Sequence, residues 1–347
     1  MTGDASPATQ IGGNPPLPHF WAPAKAAMMQ TPGTISLRPT AGQTMRLTIM
    51  ASAIAAVSVL TVPASAQQLT GTLAKIKDTG TITLGHRESS VPFSYYDDNQ
   101  KVIGYAMDLC YKIVDAVKSE LKLDKLEVKL NPVTSATRIP LIANGTVDLE
   151  CGSTTNNLER EKQVAFTITH FVTANRFVSK KSANLKTVED LKGKTIVSTS
   201  GTTNIKQITE IGAQKHLDLN IIAAKDHAEA FLMVETDRAA AFVMDDILLY
   251  SLVATSKTPG DYVISADALS VEPYGIMLRR DDAPFKAVVD AAMTATYKSG
   301  AINAIYDKWF LKPIPPKGVN LNVPMSAPFK KVIATPTDSG DPAWYAQ

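Results

Sequence analysis

From residue 67 onward the apolar positions alternate between two spacings. Short β-branched runs are followed by stretches in which apolar side chains recur every three or four positions. These are the periods of strand and helix. Thr81–Gly85 predicts a strand, Ala106–Leu121 an amphipathic helix, Leu126–Leu130 a strand, and Thr134–Asn144 a helix closed by Gly145. Val147–Cys151 predicts a strand, Asn157–Gln163 a short charged helix, and Ile168–Lys180 a longer β-rich run. A second series follows: a short helix near Val188–Leu191, strand Thr195–Ser198, a helix from Thr203, strand Leu219–Ala223, a helix from Ala228, strand Ala240–Met244 and a helix from Ile247. Pro273–Leu278 returns to strand, and helices Ala283–Lys298 and Ala301–Phe310 come next. The tail from Lys312 reads as Pro-rich and irregular.

This βα rhythm implies parallel strands joined by crossover helices, arranged as two α/β units. The β-rich passages near 170–180 and 268–278 are the expected crossings between them. A double crossover suits a cleft that closes on a ligand by hinge motion. The expected boundaries are 67–173 with 270–322 for the first lobe, 174–269 for the second, and 323–347 for a C-terminal tail.

The pattern before residue 67 differs. Residues 1–44 hold seven prolines and no hydrophobic period, the composition of a disordered extension or of a mis-assigned start. Residues 45–66 have the three regions of a secretory signal peptide. Arg46 precedes an uncharged stretch from Leu47 to Val62, and the small-x-small site Ala64-Ser65-Ala66 follows. Cleavage is expected after Ala66, which places the mature protein in the periplasm. No Cys stands at the cleavage point, which excludes a lipid anchor there.

Export changes the reading of charge. The whole chain carries a formal +2, but residues 67–347 hold 32 basic and 32 acidic side chains. A neutral mature chain argues against nucleic acid or anionic membrane as partner. Cys110 and Cys151 lack metal-ligand spacing, so no metal or cofactor is expected. Both read as small buried thiols, although an oxidising compartment permits a disulfide.

Ligands in open α/β sheets sit beyond the carboxyl ends of strands. The residues found there include Arg87, Ser135, Arg138, Ser153, Thr155, Arg160, Thr202, Thr203, His227 and Asp245. Three arginines, several hydroxyls, one His and one Asp suit a molecule with two carboxylates and one ammonium. Arginine grips carboxylates through a planar fork, a helix start such as Thr202-Thr203 offers backbone N–H groups to an anion, and Asp245 is a counter-ion for an ammonium. Three Arg against Asp245 leave the cleft at +2 before His227 is counted. Each residue has a plainer reading: Arg160 as a solvated helix residue, Thr202, Thr203 and Asp245 as N-caps, His227 as a cap or surface residue, and Arg87 as a local partner of Glu88.

At these positions the chain resembles a known family. Gly85-His86-Arg87-Glu88-Ser89-Ser90-Val91-Pro92-Phe93, Glu150-Cys151-Gly152-Ser153-Thr154-Thr155-Asn156-Asn157, Thr199-Ser200-Gly201-Thr202-Thr203, Ala224-Lys225-Asp226-His227 and Phe242-Val243-Met244-Asp245-Asp246 are similar to the periplasmic glutamate/aspartate-binding proteins of ABC transporters. The similarity runs from about Gly71 to Asn322. It implies a two-lobed type II periplasmic-binding-protein fold, each lobe a mixed α/β sheet flanked by helices. It also implies a division of labour: Arg160, Thr155, Thr202 and Thr203 for the α-carboxylate, Asp245 with Ser153 for the ammonium, and Arg87, Ser135, Arg138 and His227 for the side-chain carboxylate. The expected partners are L-glutamate or L-aspartate and the membrane permease subunits of an ABC importer, with the carrier a monomer. The rival from another class is a dehydratase-like periplasmic enzyme on the same fold, in which Arg, His and Asp serve acid–base work.

Overall fold

The structure is a computed structural model that describes residues 69–346. The expectations for 1–44 and for the signal peptide and its cleavage site lie outside the described residues.

Six short β-rich runs become strands within two residues of their expected bounds. Thr81–His86, Glu127–Pro132 and Leu149–Cys151 run parallel in one sheet, and Thr195–Thr199, Asn220–Ala224 and Ala241–Asp245 run parallel in another. Each sheet continues with antiparallel strands. In the first, Met277–Arg279 lies between Leu149–Cys151 and Val164–Phe166. In the second, Phe171–Lys180 pairs with Ala241–Asp245 on one side and with Tyr262–Ile264 and Ser270–Tyr274 on the other. The protein therefore has two lobes, each a mixed sheet flanked by helices.

The chain crosses between the sheets twice, and the two passages are bonded together. Thr167 N donates to Ile276 O at 2.9 Å and His170 N to Tyr274 O at 2.8 Å, while Ile276 N donates to Thr167 Oγ1 at 3.1 Å. The single strand expected over Pro273–Leu278 is accordingly split at Gly275-Ile276, where the backbone leaves one ladder for the other. Aromatic rings fill the space beside the crossing. Phe171 stacks on Phe310 at 4.9 Å, Tyr306 on Phe310 at 4.4 Å, and Phe93 meets Tyr274 edge-on at 5.2 Å. Such pairs favour offset or edge-to-face geometry and add to the area they bury.

Local side-chain chemistry explains where helices fall short of expectation. The helix predicted over Thr134–Asn144 begins only at Arg138. Thr134 and Thr137 bond each other's backbone N–H through their hydroxyls at 3.2 and 3.0 Å, a local alternative to helix. Asn157–Gln163 contracts to a 3-10 turn over Arg160–Lys162. The tail is the larger correction. Its residues include a helix over Ala327–Ala334, capped by Ser326 and burying Phe329 and Val332. Beyond the helix, Tyr345 is buried and its hydroxyl lies 2.7 Å from Thr169 Oγ1. Apolar positions spaced by three, Phe329 and Val332, outweigh the proline content.

The reading of two separate thiols is also corrected. Cys110, on the buried face of helix Tyr105–Glu120, is joined to Cys151 at the end of a central strand. The bridge closes a loop of 41 positions, for which chain entropy predicts about 4 kcal/mol of stabilisation. Replacing both cysteines by Ala should lower stability to urea by about 2–5 kcal/mol while the protein still folds. Equal midpoints for the two proteins would show that the bridge does not form.

Candidate functional site

Eight of the ten residues singled out from the sequence line one cavity. Ser135, Arg138, Ser153 and Thr155 come from the first lobe, and Thr202, Thr203, His227 and Asp245 from the second. Arg87 and Arg160 are buried against the same loops: exposure is 2% for Arg87, 2% for Arg138 and 7% for Arg160. The cavity is tight, about 10 Å³, room for roughly one water.

The first lobe presents its arginines from three different loops. Arg87 directly follows a strand, and its Nε donates to Val133 O at 3.1 Å. Arg138 opens its short helix and donates through Nη1 to Thr154 Oγ1 at 2.5 Å and to Ser153 O at 3.4 Å. Arg160 is held by its own loop, because Asn157 Oδ1 accepts its backbone N–H at 2.9 Å. Its guanidinium then reaches Thr155 O at 2.8 Å and, across the cleft, Gly201 O at 3.2 Å. Arg160 is thus a bridge between lobes, not a solvated helix residue.

The second lobe supplies a helix start and a carboxylate. Thr202 caps helix Thr203–Gln214, its Oγ1 accepting from Ile205 N at 3.3 Å. The plain N-cap reading therefore holds for Thr202, which also lines the cavity. His227 is buried; its Nδ1 lies 2.9 Å from Thr199 Oγ1, leaving Nε2 toward the cavity. Asp245 occupies an N-cap position without a side-chain capping bond. Its carboxylate instead accepts from Asn204 Nδ2 at 2.8 Å and from the Tyr274 hydroxyl.

Five buried side-chain atoms of these residues lack a hydrogen-bond partner: Arg87 Nη1, Arg138 Nε, Ser135 Oγ, Ser153 Oγ and His227 Nε2. All can donate. Leaving a buried donor unmade costs about 1–3 kcal/mol, so a cluster of five calls for an acceptor-rich solute.

Burial sets the electrostatics. Desolvation, then repulsion from Arg138, lowers Arg87 and Arg160 each to about 10, so both stay cationic at neutral pH. Burial, followed by Arg87 and Arg138, pushes His227 well below its ordinary value, which makes it a neutral donor or acceptor. Asp245 is pushed up to about 7, chiefly by burial and next by Glu272.

Four contributors escaped the sequence reading: Asn204 and Tyr274 on Asp245, and the buried carboxylates Glu150 and Glu272. Glu272 accepts from Thr203 Oγ1 at 3.0 Å and from Gln207 Nε2 at 2.7 Å. The +2 count is therefore corrected, because three arginines face three buried carboxylates. The signal available was an acidic residue inside an otherwise apolar strand, as in Leu149-Glu150-Cys151.

Known proteins are similar to this one over most of the chain. Residues 82–312 match the bacterial extracellular solute-binding proteins, family 3. The L-glutamate/L-aspartate-binding protein of Pseudomonas aeruginosa is 56% identical over 84% of this chain and 96% of its own length. The glutamate/aspartate import solute-binding protein of Salmonella typhimurium is 48% identical over 77% of this chain and 88% of its own. Among solved structures, an ancestral amino acid-binding protein, a precursor of cyclohexadienyl dehydratase, superposes with a TM-score of 0.57 at 27% identity, covering 69% of this chain and 99% of that one.

Asp245 makes a pH-dependent prediction for the ligand-free protein. Its folded pKa lies above the unfolded value of about 3.9. The folded state therefore binds the extra proton, and the stability penalty grows as pH rises from about 4 to about 7. Asp245→Asn should raise the melting temperature of ligand-free protein, with a larger margin at pH 8 than at pH 5. A margin independent of pH would contradict the buried, proton-holding carboxylate.

Proposed function

This chain belongs to the bacterial extracellular solute-binding proteins, family 3, and we propose that it captures glutamate or aspartate between its lobes for an ABC importer. The observation that carries this reading is the polarity of the cleft. Five unpaired buried donors and three arginines stand in a cleft that also holds Asp245 with Tyr274 and Asn204. An acidic amino acid carries the matching charges.

In this reading Arg160, Thr155, Thr202 and Thr203 hold the α-carboxylate. Asp245 and Ser153 hold the ammonium, and Arg87, Ser135, Arg138 and His227 hold the distal carboxylate. Glutamate and aspartate differ by one methylene, worth about 0.8 kcal/mol if buried. Glutamine is rejected more strongly, because its neutral amide leaves a buried arginine poorly paired. Residues 67–173 with 270–322 form the first lobe, and residues 174–269 the second. The protein acts in the periplasm as a monomer, after cleavage at Ala66, and its partners are permease subunits rather than nucleic acid.

The relatives bind solutes for transport, and their names favour binding over the dehydratase alternative. Local geometry agrees. Asp226, the one carboxylate beside His227 in sequence, accepts from Glu229 N at 2.9 Å as a helix cap, and His227 is oriented by Thr199 instead.

Removing one partner of a desolvated charge pair costs about 2–5 kcal/mol. Arg160→Ala should therefore weaken glutamate binding roughly 30- to several-thousand-fold, and calorimetry showing unchanged affinity would refute the assignment. Arg138→Ala should erase the preference for glutamate over glutamine; a retained preference would place Arg138 outside the distal pocket. N-terminal sequencing of exported protein should read from Gln67, and a start near residue 20 or 30 would rule out the cleavage site.

A further inference from the structure

Glu150 is fully buried in the middle of the three-residue strand Leu149–Cys151, flanked by Gly85 on one neighbouring strand and Met277 on the other. A carboxylate in that position is costly unless cations compensate it. Its Oε1 has no hydrogen-bond partner, and two features link the carboxylate to the arginines. Glu150 Oε2 accepts from Thr154 Oγ1 at 2.6 Å, and the same hydroxyl accepts from Arg138 Nη1 at 2.5 Å. On the other side lies Gly152. A Cβ there would stand 2.2 Å from Glu150 Oε1 and 3.0 Å from Arg87 Cγ. The missing side chain thus lets the carboxylate lie alongside the Arg87 stem.

We propose that Glu150 is a positioning residue for the Arg87–Arg138 pair, holding both guanidiniums toward the cleft before the solute arrives; this rests on the acidic-solute reading above. Two buried cations repel each other across the space where a distal carboxylate is to sit. In the absence of a counter-charge, the favourable response is for one guanidinium to swing toward water. Glu150 supplies the counter-charge from behind, on a rigid strand, through Thr154 on one flank and direct proximity on the other. The electrostatics agree in sign: Glu150 strengthens the hold of both arginines on their protons, whereas Arg138 weakens that of Arg87.

The role has a signature that general destabilisation lacks. Glu150→Gln keeps an acceptor for Thr154 and removes only the charge. Calorimetry with the full mature protein should show glutamate affinity falling about tenfold or more while glutamine affinity changes by less than about threefold, so the preference narrows. An unchanged preference would overturn the proposal. A widened one would overturn it too, since it would mean that the carboxylate merely opposes the charge of the solute. If Glu150→Gln fails to fold, Thr154→Val cuts the link to Arg138 with the charge in place, and a smaller narrowing is expected. Wild-type protein that binds no glutamate would instead sink the functional reading itself, which keeps the two failures distinct.

Discussion

The constraint on which the rest of the structure depends is the burial of opposite charges in one cleft. Arg87, Arg138 and Arg160 cannot leave water singly, and neither can Asp245, Glu150 and Glu272. Each is held by elements of regular structure: a strand end, a helix start, a crossover strand. Glu150 is the counter-charge to Arg87 and Arg138, while Asp245 and Glu272 repel each other and both act on Arg160. An acidic amino acid, the solute proposed above, offers carboxylates to the arginines and an ammonium to Asp245. That is why the geometry selects a class of solute and not a shape alone.

Closure is equally economical. Gly201 has a φ of 75°, and a Cβ there would lie 2.6 Å from Ala136 Cα, so the two lobes meet backbone to backbone at this point. Direct ties close the cleft beside it: Arg160 donates to Gly201 O, and Lys206 pairs with Glu159 at 2.5 Å on the exposed rim. Exposed pairs contribute about 0–1 kcal/mol.

Much of this was legible in the sequence, for a physical reason. Parallel strands followed by helices place every strand end on one side of its sheet, so Arg87, Ser153, Thr202, His227 and Asp245 were identifiable by position before any contact was known. Residues that act from behind were not. Glu150 sits within a strand and Glu272 and Tyr274 on the return crossover, so the strand-end rule passes over all three. The disulfide was hidden because pairing depends on how helix Tyr105–Glu120 docks on the sheet, not on spacing. The tail was misjudged because prolines were weighed above Phe329 and Val332, whose shared face decides the matter.

That tail reaches further than its place in the chain suggests. Asp338 O accepts from Asn156 Nδ2 at 2.7 Å, and the same amide donates to Glu161 Oε1 at 2.9 Å, at the two shoulders of the loop that carries Arg160. Thr337 O accepts from Thr169 N at 2.8 Å on the crossing itself. Synthesis runs from the N-terminus, so the loop emerges long before the residues that brace it. The brace on this loop therefore depends on a segment 182 positions downstream, the last part of it to be made. A chain cut short before Thr337 would keep every residue of the cleft and lose these bonds to the loop and the crossing.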